Sequence, residues 1–350
     1  MSDAPTQQKP DASGPVVDGA GGAPASTVPE ESISTPQPAA ERGTVVRPAD
    51  RIFSLFASGS ATLVTAIIAA IGIFLVALAV PALQRNQASF LFSREWNTTD
   101  INKMAFGVLD LFQVTVLVSF FALLLAMPVA LGIAIFLTEY CPARVKRPLA
   151  YVIDLLAAVP SIVYGLWGLL VLAPTIRPAA EWFNSTFSWF FLFQNGSGSV
   201  PGGRTIFTAG IVLAVMILPI ITAVTREVFV QTPVAHIEAA LALGATRWEV
   251  VRTTIIPFGR SGYISGSMLG LGRALGETMA LYLILATVFK PFSWSLFDGG
   301  ATIASKIALG YAEFNNNIQA GAYIAAGLVL FVLTFAVNAT ARAIVGGKRD

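Results

Sequence analysis

Two oppositely charged residues, Arg273 and Glu277, lie inside a long apolar segment and are the residues best placed to do chemistry. The segment runs from about Gly262 to Phe289 and contains no other Asp, Glu, Lys or Arg. A charge at the centre of a bilayer costs roughly 2.5–3.5 kcal/mol even on the most lenient insertion scale. Since Glu277 follows Arg273 by four residues, one continuous helix would place both on one face, where they can pair.

The chemistry that this pair suits is the passage of an oxyanion. A guanidinium group presents a planar fork of N–H donors that matches the oxygens of phosphate. A neighbouring carboxylate would weaken the grip of Arg273, and a transport route must release what it binds. We therefore expect Arg273 to stabilise the anion and Glu277 to hold and tune the arginine. A structural ion pair between helices is the alternative that the residues leave open.

A second informative group lies in the segment 231–257, between two apolar segments. Thr232 can cap a short helix, and Gly244 can end it because glycine readily adopts the left-handed conformation found after helices. Thr246 can cap a second helix, and Glu249, three residues later, completes a capping box. The pattern predicts two short amphipathic helices that form a surface for another protein or for the membrane plane.

This segment resembles the EAA loop of ABC-importer permeases. The resemblance rests on Glu238-Ala239-Ala240, followed after three residues by Gly244 and thirteen residues later by Pro257. It implies that the loop is a coupling helix, which in that family sits in a cleft of a separate ATP-binding subunit. The sequence has no Walker-type glycine loop, so ATP and Mg²⁺ are expected on that partner and no cofactor on this chain.

Three further segments resemble the phosphate-specific branch of the same superfamily, the PstC type. They read Phe-Leu-Thr-Glu-Tyr at 136–140, Ala-Ala-Val-Pro-Ser-Ile-Val-Tyr-Gly-Leu-Trp-Gly at 157–168 and Gly-Arg-Ala-Leu-Gly-Glu-Thr at 272–278. The resemblance implies that Arg273 and Glu277 take part in transport. Ser161 and Tyr164 either add hydroxyl groups to the route or satisfy contacts between helices, and both readings stay open.

The elements that must position these residues are membrane-spanning helices. Of the 350 residues, 55% are hydrophobic and only 12% are charged, about half the charge of an average soluble domain. The apolar residues form long blocks, as in a polytopic membrane protein. Six blocks are long enough to span a bilayer: Ala61 to Leu83, Phe112 to Leu137, Leu149 to Ala173, Ile206 to Val228, Gly262 to Phe289 and Gly321 to Val345.

Residues for enzyme chemistry are scarce. The single cysteine, Cys141, excludes an intramolecular disulfide framework, and the single histidine, His236, argues against a histidine metal site. No basic run interleaved with aromatic residues occurs, so no nucleic-acid partner is expected. The sequence therefore predicts a transport subunit with no metal and no catalytic residue.

The distribution of Lys and Arg predicts the orientation in the membrane. From Arg42 onward, placing the amino terminus inside puts thirteen Lys and Arg residues on the cytosolic side against seven outside, which favours cytosolic termini. Residues 1–50 contain no aromatic side chain and eight prolines, a composition typical of disorder. We expect a disordered cytosolic tail (1–50), a first transmembrane helix with an outer loop (51–110), and a transmembrane domain (111–345) carrying the EAA loop.

The fold class expected is thus an all-α polytopic membrane protein with six transmembrane helices of the type I ABC importer permease architecture. The resemblance implies three kinds of partner besides membrane lipid: a second homologous permease, two ATP-binding subunits and an extracytoplasmic phosphate-binding protein. The predicted function is import of inorganic phosphate across the bacterial cytoplasmic membrane. Import of sulfate or molybdate by the same architecture is the nearest alternative, and an ion-coupled secondary transporter using Glu277 is a more distant one.

Overall fold

The structure is a computed structural model, and it is almost entirely helical. It describes residues 48–194, 201–287, 292–311, 314 and 316–346. The predicted disordered tail lies outside the described residues, apart from the first residues of a helix that begins at Pro48. The chain divides into two units, Met1–Gly59 and Ser60–Asp350.

The described residues form twelve α-helices and one two-stranded antiparallel sheet. The helices are α1 (Pro48–Arg85), α2 (Leu109–Ile135), α3 (Ala143–Ala158), α4 (Ser161–Trp167), α5 (Ala173–Thr186), α6 (Ile206–Val230), α7 (Val234–Ala242), α8 (Arg247–Val250), α9 (Ile256–Leu275), α10 (Met279–Ile284), α11 (Ile303–Gly310) and α12 (Asn317–Gly346). The strands are β1 (Trp96–Asn97) and β2 (Ala105–Phe106). Turns of π-helix at Phe136–Tyr140, Gly168–Leu172 and Val251–Ile255 extend or join helices, and 3-10 turns lie at Phe191–Phe193 and Pro201–Gly203.

Five of the described helices are long and apolar enough to cross a membrane. They are Arg51–Arg85, Leu109–Tyr140, Ser161–Thr186, Ile206–Val230 and Asn317–Ala343. The all-α membrane fold predicted from the sequence is therefore confirmed. The remaining predicted span, Gly262 to Phe289, corresponds to α9 and α10, which are separate helices.

The core is built around α6, which packs against α2 and α9. Phe121 of α2 packs on Gly210 near the start of α6, and Ala134 lies in one cluster with Phe229 near its end. The helices α2 and α6 therefore run parallel. Small residues bring α9 close to α6, because a Cβ atom at Gly270 would lie 2.9 Å from Ile221 Cγ1. Farther back along α9, Gly266 faces Val224, so α6 and α9 run antiparallel.

Two of the predicted spans are interrupted. The prediction of one span from Leu149 to Ala173 is wrong, because α3 ends at Ala158 and α4 begins at Ser161. Pro160 lacks a backbone N–H and disfavours the helical conformation of the preceding residue, and Val159 is accordingly extended at φ −64° and ψ 130°. The second interruption, between α9 and α10, lies at residues 276–278.

The segment between α1 and α2 packs onto the first turns of α12. Its two strands pair Trp96 with Phe106 and Asn97 with Ala105. The Trp96 ring contacts the Tyr323 ring of α12 at a centroid distance of 5.1 Å. This segment thus lies at the end of the helices where α2 and α6 begin, and α7 and α8 follow the opposite end of α6.

Candidate functional site

The two short helices that follow the interruptions pack against each other in parallel. A Cβ atom at Gly165 would lie 2.8 Å from the Ala280 Cα atom, and one at Gly168 would lie 2.7 Å from Ile284 Cδ1. Gly165 lies four residues after the start of α4 and Ala280 lies one residue after the start of α10. Each residue advances a helix by 1.5 Å. The two interruptions therefore lie within about one helical turn of each other along the common direction of α4 and α10.

Arg273 lies in the last turn of α9, directly before its interruption. Its side chain is half-buried, and it makes no hydrogen bond or ion pair with any residue that the structure describes. Of the four residues predicted for the anion route, Arg273 thus lies just before one interruption, and Ser161 and Tyr164 lie just after the other.

Glu277 is buried at 7% exposure and lies beyond the end of α9. Its Oε1 atom accepts a hydrogen bond of 3.1 Å from the backbone N–H of Ala280 in the first turn of α10. The expected pairing of Arg273 with Glu277 is wrong, because the helix ends at Leu275 and four-residue spacing no longer places both side chains on one face. Glu277 instead caps α10 from the residue before its N-cap, Thr278.

The two predicted hydroxyl groups lie on α4. Tyr164 is buried, and its hydroxyl donates a hydrogen bond of 2.8 Å to the carbonyl oxygen of Leu156 in α3. This bond joins the helices on either side of the interruption at Val159–Pro160. Ser161 opens α4, is half-buried, and its hydroxyl has no partner among the described residues.

Arg204 is one of the seven Lys and Arg residues that the predicted orientation places outside, in a loop. Its Nη2 atom donates to the carbonyl oxygens of Leu283 at 3.1 Å and Leu285 at 3.4 Å, and its Nε atom donates to that of Ile284 at 3.3 Å. These carbonyls form the end of α10. Because the partners are 79–81 residues apart in the chain, no local pattern could indicate the contact.

A cavity of about 150 Å³ lies where α2 begins, and charged side chains line it. Arg94 contacts Asp110 at 3.2 Å and donates to the carbonyl oxygen of Phe292 at 2.9 Å. Asp110 in turn accepts from the backbone N–H of Phe292 at 3.3 Å, and Asp298 accepts from that of Ser293 at 3.0 Å. These charged groups hold the segment after residue 291 against the start of α2.

The two helices predicted in the EAA segment are present as α7 and α8. Thr246 and Glu249 form the predicted capping box, in which the Thr246 N–H donates to Glu249 Oε2 at 2.7 Å. This hydrogen bond lowers the pKa of the Glu249 carboxyl. Gly244 has the left-handed φ of +86°. Thr232 is not the cap of α7, because Pro233 takes the capping position and the Thr232 hydroxyl is buried without a partner among the described residues.

Apolar side chains of α7 and α8 project away from the core. Of the four signature positions, Glu238, Ala239 and Gly244 are exposed, and Ala240 is half-buried against the core. Leu243 is 90% exposed, and Val234, Leu241 and Trp248 are between 48% and 65% exposed. We call these last four residues the coupling surface. Such a patch of exposed apolar side chains at a helix pair is typical of a protein-binding surface.

The chain is similar over most of its length to named phosphate permeases. It is 58% identical over 306 residues to "Phosphate transport system permease protein PstC 2" of Mycobacterium tuberculosis. The matched residues cover 87% of this chain and 94% of that relative. It is 56% identical over 313 residues to "Phosphate transport system permease protein PstC" of Mycobacterium leprae, with 89% and 98% coverage. The Mesorhizobium japonicum protein of that name is 40% identical over 296 residues, with 84% and 89% coverage.

Comparison with solved structures gives weaker likenesses. The "MetNI methionine ABC transporter" in an inward-facing conformation matches at 15% sequence identity and a TM-score of 0.48, covering 69% of this chain and 94% of that one. The sequence profile of the family described as "Binding-protein-dependent transport system inner membrane component" matches residues 127–350. The chain, with its interrupted helices and its exposed α7–α8 pair, therefore belongs to this family of inner membrane components.

Proposed function

We propose that this chain is the permease subunit through which an ATP-driven importer carries inorganic phosphate across the cytoplasmic membrane. The observation that carries the proposal is the 58% identity to a phosphate transport system permease along 94% of that relative. The matched length is great enough to include every helix of the core. The chain is a transport subunit, and ATP hydrolysis belongs to a separate protein.

The anion route is proposed to pass the level of the two interruptions. Arg273 supports this placement, because its half-buried guanidinium group makes no hydrogen bond or ion pair with the described residues and can turn its donors to phosphate oxygens. A single arginine also suits a route, which must release its ion. Glu277 and Tyr164 are proposed to position the helix ends around it, and Ser161 to offer its hydroxyl group.

The coupling surface is proposed to dock an ATP-binding subunit. It lies at the turn between α6 and α9, so a displacement of α7 is transmitted directly to both core helices.

We further propose the complete assembly that the family resemblance implies: a second permease, two ATP-binding subunits carrying ATP and Mg²⁺, and an extracytoplasmic phosphate-binding protein. Both termini are proposed to be cytosolic, as the excess of Lys and Arg on that side favours.

The proposal is tested by uptake of labelled phosphate into vesicles that contain the reconstituted complex. Uptake is expected to require ATP and to be unaffected by excess sulfate. Inhibition by sulfate, or uptake of sulfate itself, would move the protein to the sulfate branch. Uptake driven by an ion gradient without any ATP-binding subunit would favour a secondary transporter and refute the proposal.

The role of Arg273 is tested by Arg273→Gln, which keeps a polar side chain but shortens it and removes its charge. We expect phosphate uptake per assembled complex to fall by at least about 100-fold, the scale of losing one preorganised electrostatic group. Arg260→Gln is the matched control, because Arg260 is an exposed arginine of the same helix. Full uptake by a correctly assembled Arg273→Gln complex would reduce Arg273 to a structural role.

A further inference from the structure

We infer that Arg204 is a positioning residue of the anion route and acts on it through α10. The inference rests on the proposed function, since the route is the one proposed above. The guanidinium group of Arg204 donates to three consecutive carbonyl oxygens, those of Leu283, Ile284 and Leu285. It therefore occupies the carboxyl end of α10, where the last turn of a helix leaves carbonyl groups without partners.

The short helix α10 depends on the groups at its ends. It has six residues, and a helix of that length has too few internal hydrogen bonds to be stable by itself. Glu277 caps its amino end and Arg204 binds its carboxyl end. A carboxylate at the amino end and a cation at the carboxyl end are both favourable in the field of the helix.

Contacts along the side of α10, whose larger buried side chains belong to the main core cluster, fix its position together with these end groups. Gly165 and Gly168 press α4 against Ala280 and Ile284, which prevents α10 from moving sideways. Arg204 fixes the far end of the same helix. Because Arg273 lies only six residues before the start of α10, a shift of α10 along its axis displaces the interruption that holds the arginine.

Arg204 is itself anchored to the start of α6. The Thr205 hydroxyl caps α6 by accepting from the Thr208 N–H at 3.4 Å. The carbonyl oxygen of Arg204 accepts from the Ala286 N–H at 3.2 Å. Helix α6 continues without interruption to the turn before α7. Arg204 therefore connects α6, which leads to the coupling surface, with α10, which borders the proposed route. We therefore expect Arg204 to affect how much transport accompanies each ATP hydrolysed.

The test measures phosphate transported and ATP hydrolysed by the complete reconstituted complex in the same vesicles. The ratio of the two is independent of how much protein has folded, so a purely structural role would leave it unchanged. We expect Arg204→Gln to lower the ratio about tenfold, since small misplacements of a positioned group cost such factors. Arg204→Lys is expected to restore part of the ratio, because an ammonium group still donates to carbonyl oxygens.

Arg177→Gln is the matched control, because Arg177 is an arginine on α5 that is 55% exposed and, among the residues that the structure describes, pairs only with Glu181 of its own helix. It is expected to keep the wild-type ratio. A wild-type ratio in Arg204→Gln would overturn the inference, even if both activities fell. If Arg204→Gln fails to assemble, Arg204→Lys decides: a lowered ratio supports the inference and an unchanged ratio overturns it. A wild-type complex that takes up no phosphate would instead refute the proposed function, and the inference with it.

Discussion

Arg273 and Glu277 illustrate how two charges can lie close in the chain and still serve separate purposes. The interruption after Leu275 turns Glu277 away from the helical face of Arg273 and gives its carboxylate a backbone partner, the Ala280 N–H. Arg273 keeps its donors unused by the described residues. A charge inside a membrane-spanning region carries an energetic cost, which is why we propose a role in the route for Arg273 rather than a purely structural one.

Two substitutions of Glu277 distinguish the hydrogen bond that its side chain accepts from the charge that it carries. Glu277→Gln keeps an oxygen that can accept from the Ala280 N–H, so its thermal midpoint is expected to remain near that of the wild type. Glu277→Ala removes the cap and is expected to cost about 1 kcal/mol in the free energy of unfolding. The measurement is thermal unfolding of the purified complex. Equal destabilisation by both substitutions would contradict the capping role.

At the scale of elements, the sequence predicted those helices whose ends are fixed by residues close together in the chain. The α7–α8 pair was predicted because its capping box and its left-handed glycine lie within a few residues of each other. The interruption at Val159–Pro160 was missed, since a proline inside a membrane helix is compatible with a kink as well as with a break. The contacts of Arg204 join residues about 80 positions apart, and no short-range periodicity reflects such a contact.

The parallel packing of α4 and α10 depends on Gly165, a glycine with no side chain at the contact. We expect Gly165→Ala to lower the stability of the complex by about 1–3 kcal/mol, because the new methyl group would lie 2.8 Å from the Ala280 Cα atom. Gly132→Ala in α2 is the control, since a Cβ atom there has nothing within 4 Å, and it is expected to be neutral or slightly stabilising. Thermal unfolding of both purified variants checks the difference, and equal midpoints would show that the α4–α10 contact can relax.

At the scale of the whole molecule, the antiparallel α6–α9 pair connects the coupling surface to the level of Arg273. Glycines of α9 pack against α6 at several successive turns, so the two helices can move as one body. Movement imposed on α7 would then reach the interruption after α9 without bending either helix. This arrangement suits a permease whose energy source is a separate subunit.

The coupling surface is expected to hold the ATP-binding subunit mainly through its most exposed residue. Leu243→Asp places a charge at a side chain that is 90% exposed, so the fold of the permease should be unaffected. We expect recovery of the ATP-binding subunit with the purified permease to fall at least about tenfold, as for loss of one apolar anchor. Phe92→Asp, at a 75% exposed residue of the segment between α1 and α2, should leave recovery unchanged; undiminished recovery with Leu243→Asp would argue against docking at this surface.

The interruption between α9 and α10 also constrains how the chain enters the bilayer during its synthesis. The stretch from Ile256 to Ile284 carries Arg260, Arg273 and Glu277 and is divided into two helices, so it is not among the five described helices that are long and apolar enough to cross a membrane. The translocon would therefore release it poorly as an independent segment. Because α2 and α6 are made earlier, the glycine face of α9 can bind α6 as it emerges. We therefore expect the order of helices along the chain to be an order of assembly as well, in which α2 and α6 are in place before α9 packs against α6.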